Sequence, residues 1–395
     1  MLTHRELFLK HIAQTSESPL TLEVERAEGV YLFSPNGQRI FDLISGVSVS
    51  NVGHSHPNVV KAVNQQVSKY MHLMVYGELV QAPQVLLAKR IAELLPDSLQ
   101  SVYFVNSGSE AVEGAIKLAK RFTGRPEIIS FVNAYHGSTH GALSLMGSEG
   151  PKRAFRPLLP AVQHIKLNFY DDLNRITEKT ACVIIEPIQG EAGIVAADFD
   201  YLKALRKRCT ETGTLLIFDE IQTGVGRTGA LFAFERYQVV PDILLVAKAF
   251  GGGMPLGAFI SSSAIMHSLT NNPPLGHITT FGGHPVSCAA ALAALDTMID
   301  LKLHETVAGK EQLFIQLLKD HSQVKSIRSQ GLFMAVELGS FDKVQKMIKL
   351  GLEMGFLTDW FLFCDTAFRI APPLIITEAE IESVSSIILE ALDRL

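Results

Sequence analysis

Short apolar runs alternate with amphipathic stretches through the middle of the chain. Each run has four or five residues, is rich in Val, Ile, Leu or Phe, and carries no regularly spaced polar positions. This composition is typical of strands that a parallel sheet buries on both faces. We therefore predict strands at residues 102–105, 128–132, 182–185, 215–218, 243–247 and 256–260.

The stretches between these runs have a helical period. Residues 111–122 place Val112, Ile116 and Ala119 on one side, and residues 201–210 carry charges on one side only. Such amphipathic segments pack their apolar face on a sheet. Strands that alternate with helices of this kind predict a mostly parallel α/β domain.

The pattern changes after Pro285. A long helix rich in Ala and Leu is followed by a strand-like run at 332–338 and a helix at 341–354. Thr377 and Glu380 have the spacing of a capping box, which predicts the start of a last helix. We expect a segment 1–50 that joins a small domain, a large domain over 51–285, and a small C-terminal α/β domain over 286–395.

Composition limits the classes of partner. The chain has 395 residues, is 47% hydrophobic and 19% charged, and carries a formal net charge of -5. Without a run of Lys or Arg it has no electrostatic footprint for nucleic acid or for an anionic membrane. The first twenty residues mix charged with apolar positions, and no apolar stretch is long enough to span a bilayer, so we expect a cytoplasmic protein.

Metal and disulfide chemistry have little support in the sequence. The four cysteines are widely separated and form no CxxC pair, so we expect reduced thiols and no metal site. The histidines at 54, 56 and 136 lack nearby thiols or carboxylates that would complete a ligand set. Residues 224–229 match the glycine spacing of a dinucleotide fingerprint, but five residues separate them from the preceding strand, which argues against a nucleotide.

Polar residues lie at the carboxyl ends of four predicted strands. They are Asn106-Ser107, Glu186, Asp219 and Lys248. Ligands of open parallel sheets bind at this edge. Ser107, Gly108 and Glu110 begin a helix whose free amides suit a phosphate group, although the same residues could form a helix cap without a ligand.

Asp219 and Lys248 allow two interpretations. They could form a buried ion pair, which is costly and uncommon. Alternatively, an amine with a lowered pKa condenses with an aldehyde while a carboxylate keeps a pyridine nitrogen protonated. A phosphate cradle, a lysine and an aspartate are together what pyridoxal phosphate requires, so we favour the second interpretation.

Seven motifs make the chain resemble the class III pyridoxal-phosphate aminotransferases, in the branch with acetylornithine, ornithine and 4-aminobutyrate aminotransferases. The resemblance covers nearly the whole length. It implies an α/β fold of fold type I, with a large, mostly parallel seven-stranded sheet domain and a smaller α/β domain built from the two termini. The motifs are GHSHP at 53–57, NSGSE at 106–110, EPIQGE at 186–191, FDEIQTGVGRTG at 218–229, AKAFGGG at 247–253, TFGG at 280–283 and RIAPPL at 369–374.

The resemblance also implies roles at the cofactor. Lys248 would hold pyridoxal 5'-phosphate covalently, Asp219 would face its ring nitrogen, Gln222 its ring hydroxyl, and Tyr135 would stack on the ring. The phosphate ligands implied by the resemblance are Ser107, Gly108, Ser109 and, from a second subunit, Thr280. A homodimer with shared active sites is therefore expected.

At the substrate, Arg369 resembles the family arginine that binds the α-carboxylate, and Glu191 resembles the residue that pairs with it when an amine lacks that group. These residues suggest glutamate and 2-oxoglutarate as the acceptor couple. Ser138 stands where the acetylornithine, ornithine and 4-aminobutyrate enzymes usually have Arg. We therefore expect a donor with a free or neutral distal end.

The expected activity is transfer of an amino group from an ω-amine or amino acid to 2-oxoglutarate by a ping-pong mechanism. Lys248 would act as general acid and base, and Asp219 would support it. A pyridoxal-phosphate isomerase, either an aminomutase or a racemase, is the alternative. A binding protein that has lost catalysis is disfavoured because Lys248, Asp219 and Gln222 are all present.

Overall fold

The computed structural model describes residues 2–395. Among these residues, every helix is too short or too polar to span a bilayer. The strands are β1 Arg26–Glu28, β2 Tyr31–Phe33, β3 Arg39–Asp42, β4 Ser101–Val105, β5 Glu127–Phe131, β6 Val162–Ile165, β7 Thr180–Ile185, β8 Ile188–Gln189, β9 Val195–Ala196, β10 Leu215–Asp219, β11 Ile243–Val246, β12 Gly257–Ser261, β13 Ser326–Ser329, β14 Met334–Glu337, β15 Phe356–Leu357, β16 Trp360–Phe361 and β17 Cys364–Ile370. The α-helices are α1 His4–His11, α2 Ser45–Ser48, α3 Pro57–Val67, α4 Ala82–Ala92, α5 Gly108–Thr123, α6 His140–Leu145, α7 Phe199–Thr212, α8 Ala233–Tyr237, α9 Ser263–Met266, α10 Pro285–Asp300, α11 Leu303–Leu318, α12 Phe341–Met354 and α13 Glu378–Asp393.

A seven-stranded sheet forms the centre of the molecule, in the order β4-β12-β11-β10-β7-β5-β6. The strands from β11 to β6 run parallel, whereas β12 runs antiparallel to both of its neighbours. The α/β class and the large, mostly parallel sheet are thereby confirmed. All six strands predicted from the sequence are present, and β6 is the one that was not predicted.

The sheet is buried on both faces, as the apolar runs predicted. Successive side chains of a strand point to opposite faces. Leu216 and Leu244 belong to one apolar cluster, and their neighbours Ile217 and Leu245 belong to the other. Helix α5 packs in the second cluster and α7 in the first. Both faces of the sheet therefore contribute to the apolar core, with helices covering each of them.

The two ends of the chain meet in smaller sheets. Strands β1, β2 and β3 form a sheet whose last member is β15, and Phe41 pairs with Phe356. Strands β13, β14, β17 and β16 form another sheet, on which α12 packs. The region after Pro285 holds two helices, α10 and α11, where the sequence predicted one. Lys302 separates them, in a left-handed conformation with φ of 50°.

Arg227 fastens these terminal parts to the loop after β10. Its guanidinium is fully buried and donates to the carbonyl oxygens of Leu332 at 2.9 Å and Pro372 at 2.6 Å, and to the side chain of Asn51. Arg227 belongs to the glycine-rich stretch that matches a dinucleotide fingerprint. That stretch is a series of turns with no helix before Ala233.

Candidate active site

A cavity of about 370 Å³ opens at the carboxyl ends of β7, β10 and β11, beside the first turn of α5. The carboxyl edge of the parallel strands is thus where the polar side chains meet, as expected. Most of the predicted site residues line this cavity. They are Ser107, Gly108, Ser109, Tyr135, Asp219, Gln222 and Lys248.

Lys248 has an unusual backbone and a free amine. It follows β11 with φ of 50°, a left-handed conformation that a non-glycine residue adopts only under constraint. Among residues 2–395, its Nζ has no hydrogen-bond partner and no ion pair within 4.0 Å. Burial lowers the pKa of Lys248 to about 8, although Glu191 and Asp219 oppose the shift. About a tenth of the amine is therefore neutral and nucleophilic at pH 7, and about half at pH 8, far more than for a lysine in water.

Asp219 is held in place from two sides. Its Oδ2 lies 2.7 Å from Nδ1 of His136, and its Oδ1 accepts a hydrogen bond from the amide of Ile221 at 3.1 Å. Both side chains are buried, and Nε2 of His136 has no partner among the residues that the structure describes. The sequence did not assign His136 to the site, because its contact with Asp219 spans 83 residues.

Glu186 joins two walls of the cavity. Its carboxylate accepts hydrogen bonds from the amide of Tyr135 at 2.9 Å and the amide of Gly190 at 3.1 Å. Burial raises the pKa of Glu186 to about 7, and the nearby Asp219 adds to this shift while His136 opposes it. The strand-end position of Glu186 was apparent from the sequence, but its role as a link was not.

The first turn of α5 forms a tight cradle. Ser107 is the N-cap and accepts a hydrogen bond from the amide of Glu110 at 3.2 Å. The Glu110 carboxylate accepts from the amide of Asn106 at 2.7 Å, so it does not return to Ser107 as a capping box would. A Cβ on Gly108 would lie 2.8 Å from Cδ1 of Ile221, so only glycine fits without displacing that side chain.

Arg369 and Glu191 form a buried pair beside the cavity. Nη2 of Arg369 lies 3.1 Å and 3.2 Å from the two carboxylate oxygens of Glu191. Gln222 donates through Nε2 to Glu191 at 3.2 Å and so connects the pair to the cavity wall. Burial opposes both charges, but neighbouring opposite charges outweigh it. Arg369 and Lys248 lower the pKa of Glu191, and Asp359 together with Glu191 raises the pKa of Arg369.

Two further positions noted in the sequence, Thr280 and Ser138, do not line the cavity, although the amide of Ser138 donates to Oγ of Ser109 at 3.2 Å. Thr280 is exposed and does not line the cavity within this chain. Ser138 is also exposed, and its hydroxyl lies 3.3 Å from that of Tyr135. No group of three or more potential metal ligands is present among residues 2–395.

The residues present fit pyridoxal phosphate. An unpaired amine faces a cavity that also holds a fixed carboxylate, and small residues surround a helix N-terminus that suits a phosphate. The carboxamide oxygen of Gln222 is buried and has no partner within the described chain. An unsatisfied buried acceptor of this kind is expected where a ligand group completes the site.

Comparisons with known proteins agree with this chemistry. The sequence model of the family "Aminotransferase class-III" matches residues 12–392. The acetylornithine aminotransferase of Methanocaldococcus jannaschii is 39% identical over 379 residues, covering 92% of each chain. That of Methanopyrus kandleri is 39% identical and covers 98% of each chain. A structure of ornithine aminotransferase from Toxoplasma gondii, described with partial occupancy of PLP at its active site, is 28% identical with a TM-score of 0.90, covering 98% of this chain and 92% of that one.

Proposed function

Because this chain belongs to the class III aminotransferase family, whose sequence model matches residues 12–392, we propose that it transfers an amino group from an ω-amine or amino acid to 2-oxoglutarate. The transfer proceeds by a ping-pong mechanism, with pyridoxal phosphate bound covalently to Lys248. The observation that carries this proposal is the amine of Lys248, which faces the cavity without a partner and has a pKa of about 8. A structural lysine would have a carboxylate partner at this depth.

The proposed cofactor contacts follow the cavity wall. Ser107, Gly108 and Ser109 bind the phosphate at the start of α5, Tyr135 stacks on the ring, and Gln222 binds the ring hydroxyl. Bound in this way, pyridoxal phosphate supplies an electron sink for the bond that breaks at the carbon bearing the substrate amine.

Asp219 and Lys248 then have separate tasks. The carboxylate of Asp219 keeps a proton on the ring nitrogen, and His136 fixes its orientation through the 2.7 Å contact. Lys248 would be the general acid and base: its Nζ would take a proton from the substrate carbon that bears the amine and would later give a proton back. The lowered pKa suits this amine to both removal and return of the proton near neutral pH.

Arg369 and Glu191 select between the two substrates. The guanidinium of Arg369 binds the α-carboxylate of 2-oxoglutarate in the forked geometry that it favours. Glu191 neutralises Arg369 when the bound amine has no such carboxylate. When no α-carboxylate is bound, Arg369 and Glu191 contact each other at 3.1 Å and 3.2 Å, so the buried arginine keeps a charged partner.

The donor class follows from Ser138. A second arginine at this position would bind a distal carboxylate, and Ser138 offers only a hydroxyl. We propose a donor whose distal end carries no carboxylate, among ω-amines and diamines. Acetylornithine, ornithine and 4-aminobutyrate are the reference compounds against which such a donor is compared.

We further propose a homodimer in which Thr280 reaches the phosphate of the partner's site. Large apolar side chains are exposed next to Thr280 and in the segment 71–80, among them Met71 at 65%, Val80 at 94% and Phe281 at 53% of their surface. Phe281 contacts His72 with a ring-centroid distance of 4.7 Å, and Val80 lines one surface cavity with Thr279 and Gly282, so the two segments lie on one surface. A patch of this kind typically marks an interface.

Phe281→Asp should therefore yield monomers that retain the cofactor poorly. Sedimentation would detect the monomers, and absorbance would detect the loss of the cofactor.

The isomerase alternative finds no specific support in the site. An isomerase returns the amino group to the same substrate and needs no residue that accommodates a second, 2-oxo acid substrate. The Arg369 and Glu191 pair supplies such accommodation. We therefore keep the transferase as the proposed activity.

Initial-rate kinetics test the proposal. Each candidate donor (acetylornithine, ornithine, 4-aminobutyrate, β-alanine and putrescine) is varied at several fixed concentrations of 2-oxoglutarate. Parallel double-reciprocal lines with one donor support ping-pong transfer and identify that donor. Intersecting lines contradict the ping-pong mechanism, and turnover without any 2-oxo acid favours the isomerase.

A further inference from the structure

Arg369 is surrounded by two carboxylates. Glu191 contacts Nη2, and Asp359 accepts a hydrogen bond from Nε at 2.9 Å. The ring of Phe361 lies 4.5 Å from Cζ of the guanidinium. Asp359 and Phe361 both lie just before β17, in or beside β16. Arg369 is therefore held by two neighbours that have no assigned role in the proposed reaction.

The remaining nitrogen of Arg369 is unused. Its Nη1 is buried and has no hydrogen-bond partner among residues 2–395. An unpaired donor on a buried charged group is costly, so a ligand group is expected there. A carboxylate can bind a guanidinium through two parallel hydrogen bonds, one to each of two neighbouring nitrogens. Nη1 and Nη2 form one such pair of nitrogens. Nη1 is free, and Nη2 becomes free only when Glu191 moves away.

The two carboxylates differ in how they are attached. Glu191 has other partners that can hold its charge, since Gln222 and the amide of Leu362 both donate to it at 3.2 Å. Asp359 is tied to the arginine strand, because its backbone carbonyl accepts a hydrogen bond from the amide of Arg369 at 2.9 Å. The backbone carbonyl of Glu191 also accepts a hydrogen bond, from the amide of Phe363 at 2.9 Å, so its backbone stays in place and only its side chain can turn away from Arg369. The backbone of Asp359 is bonded to Arg369 itself, so Asp359 stays beside the arginine.

Resting on the function proposed above, we propose that Asp359 is a positioning residue that retains Arg369 when Glu191 releases it. A buried guanidinium that lost its only carboxylate would carry an uncompensated charge, which is strongly unfavourable. Asp359 supplies the second carboxylate on Nε and leaves Nη1 and Nη2 for the α-carboxylate of the 2-oxo acid. Phe361 limits movement of the guanidinium plane on one face.

This arrangement affects one class of substrate only. A donor that lacks a carboxylate next to its amine leaves Glu191 on Arg369, so Asp359 is not needed to retain the arginine. A 2-oxo acid displaces Glu191 and depends on Asp359. The prediction is a selective loss, confined to ligands with an α-carboxylate.

The test compares Asp359→Asn with a matched control, Asp365→Asn. Asp365 is exposed on the same segment and has no hydrogen bond or ion pair among the described residues. Glutarate, a dicarboxylate that cannot react because it has no keto group, is titrated calorimetrically into each holoenzyme. We expect binding to Asp359→Asn to be about tenfold weaker than to wild type, as for the loss of one charge-assisted hydrogen bond. Asp365→Asn should bind like wild type.

Half-reaction kinetics separate positioning from a general structural defect. In Asp359→Asn, the KM for 2-oxoglutarate should rise about tenfold while the amination of the cofactor by putrescine stays within about twofold of wild type. Asp359→Glu should restore part of the glutarate affinity. Thermal melting of the holoenzymes verifies that the variants are folded.

Three results overturn the inference. Asp359→Asn could bind glutarate like wild type, it could lose both half-reactions equally, or Asp359→Glu could fail to improve on it. A wild-type protein that accepts amines but binds neither glutarate nor 2-oxoglutarate contradicts the proposed acceptor itself, and the role of Asp359 then falls with it. The wild-type titration thus distinguishes the two failures.

Discussion

The lysine end and the arginine end of the site are built in different ways. Lys248 and Asp219 end strands that are neighbours in one sheet, and backbone register fixes them relative to each other. Arg369 and Glu191 are 178 residues apart in the chain and belong to no common sheet, and their charged groups meet only through side-chain contacts. A group fixed by a sheet suits a cofactor that stays bound. A pair of side chains with alternative partners suits a pocket that must accept two different substrates in turn.

The largest expected effect is at the lysine end. Lys248→Ala should lower kcat by about 10⁴-fold, since both the covalent attachment and the proton transfer are lost. The measurement is single-turnover amination of the cofactor. Lys203→Ala, an exposed position on α7, is the control and should behave as wild type. A Lys248→Ala protein with more than a tenth of wild-type turnover would remove the lysine from the mechanism.

Asp219→Asn should reduce kcat by about 10²–10³-fold, the range seen when one preorganised electrostatic contact is lost. The side chain keeps its shape, so the contact with His136 and the fold should survive. Absorbance shows whether the cofactor remains bound, and Asp320→Asn on the surface is the control. Loss of the cofactor together with activity would indicate a binding role for Asp219 in place of an electronic one.

A substitution at the arginine end should change the KM for one substrate relative to the KM for the other. Glu191→Gln removes the charge that neutralises Arg369, so the KM for a donor without an α-carboxylate should rise about tenfold while that for 2-oxoglutarate does not rise. Steady-state kinetics with both substrates measure this, and exposed Glu353→Gln is the control. An equal rise in both KM values would contradict the switching function of the pair.

The smallest expected effect is on pH dependence. Neutral Lys248 is the reactive form, so the rate at which the apoprotein captures pyridoxal phosphate should fall about fivefold from pH 8 to pH 7, given its pKa of about 8. Stopped-flow absorbance measures this rate. Between about pH 8 and the ordinary lysine pKa of 10.5, the unfolded chain binds more protons at this lysine, so the apoprotein should gain stability as pH rises. A capture rate independent of pH would place the pKa elsewhere.

The difference between the lysine end and the arginine end also explains which parts of the site could be predicted from the sequence. The lysine end depends on strand ends, and apolar runs locate strand ends well. Strand β6 was not predicted, because its central residues Gln163 and His164 interrupt the apolar pattern. It is an edge strand and is only partly buried. The antiparallel direction of β12 was also not predicted, since periodicity carries no information on strand direction.

The arginine end could be assigned only through resemblance to a family. Even that resemblance did not assign Asp359 and Phe361 to the site, because no family motif covers the segment before Arg369. His136 was considered as a metal ligand and set aside, and its contact with Asp219 emerges only in three dimensions. The domain boundaries, the second subunit and the individual roles of the site residues stay predictions.

The absorption spectrum of the purified protein with pyridoxal phosphate tests the central claim most directly. It is recorded alone, after one donor amine, and after subsequent addition of 2-oxoglutarate. The account predicts that a donor converts the lysine-bound cofactor to its aminated form and that 2-oxoglutarate restores the starting spectrum. A spectrum that no donor alters, while the cofactor remains bound to Lys248, would contradict the claim that this site transfers amino groups.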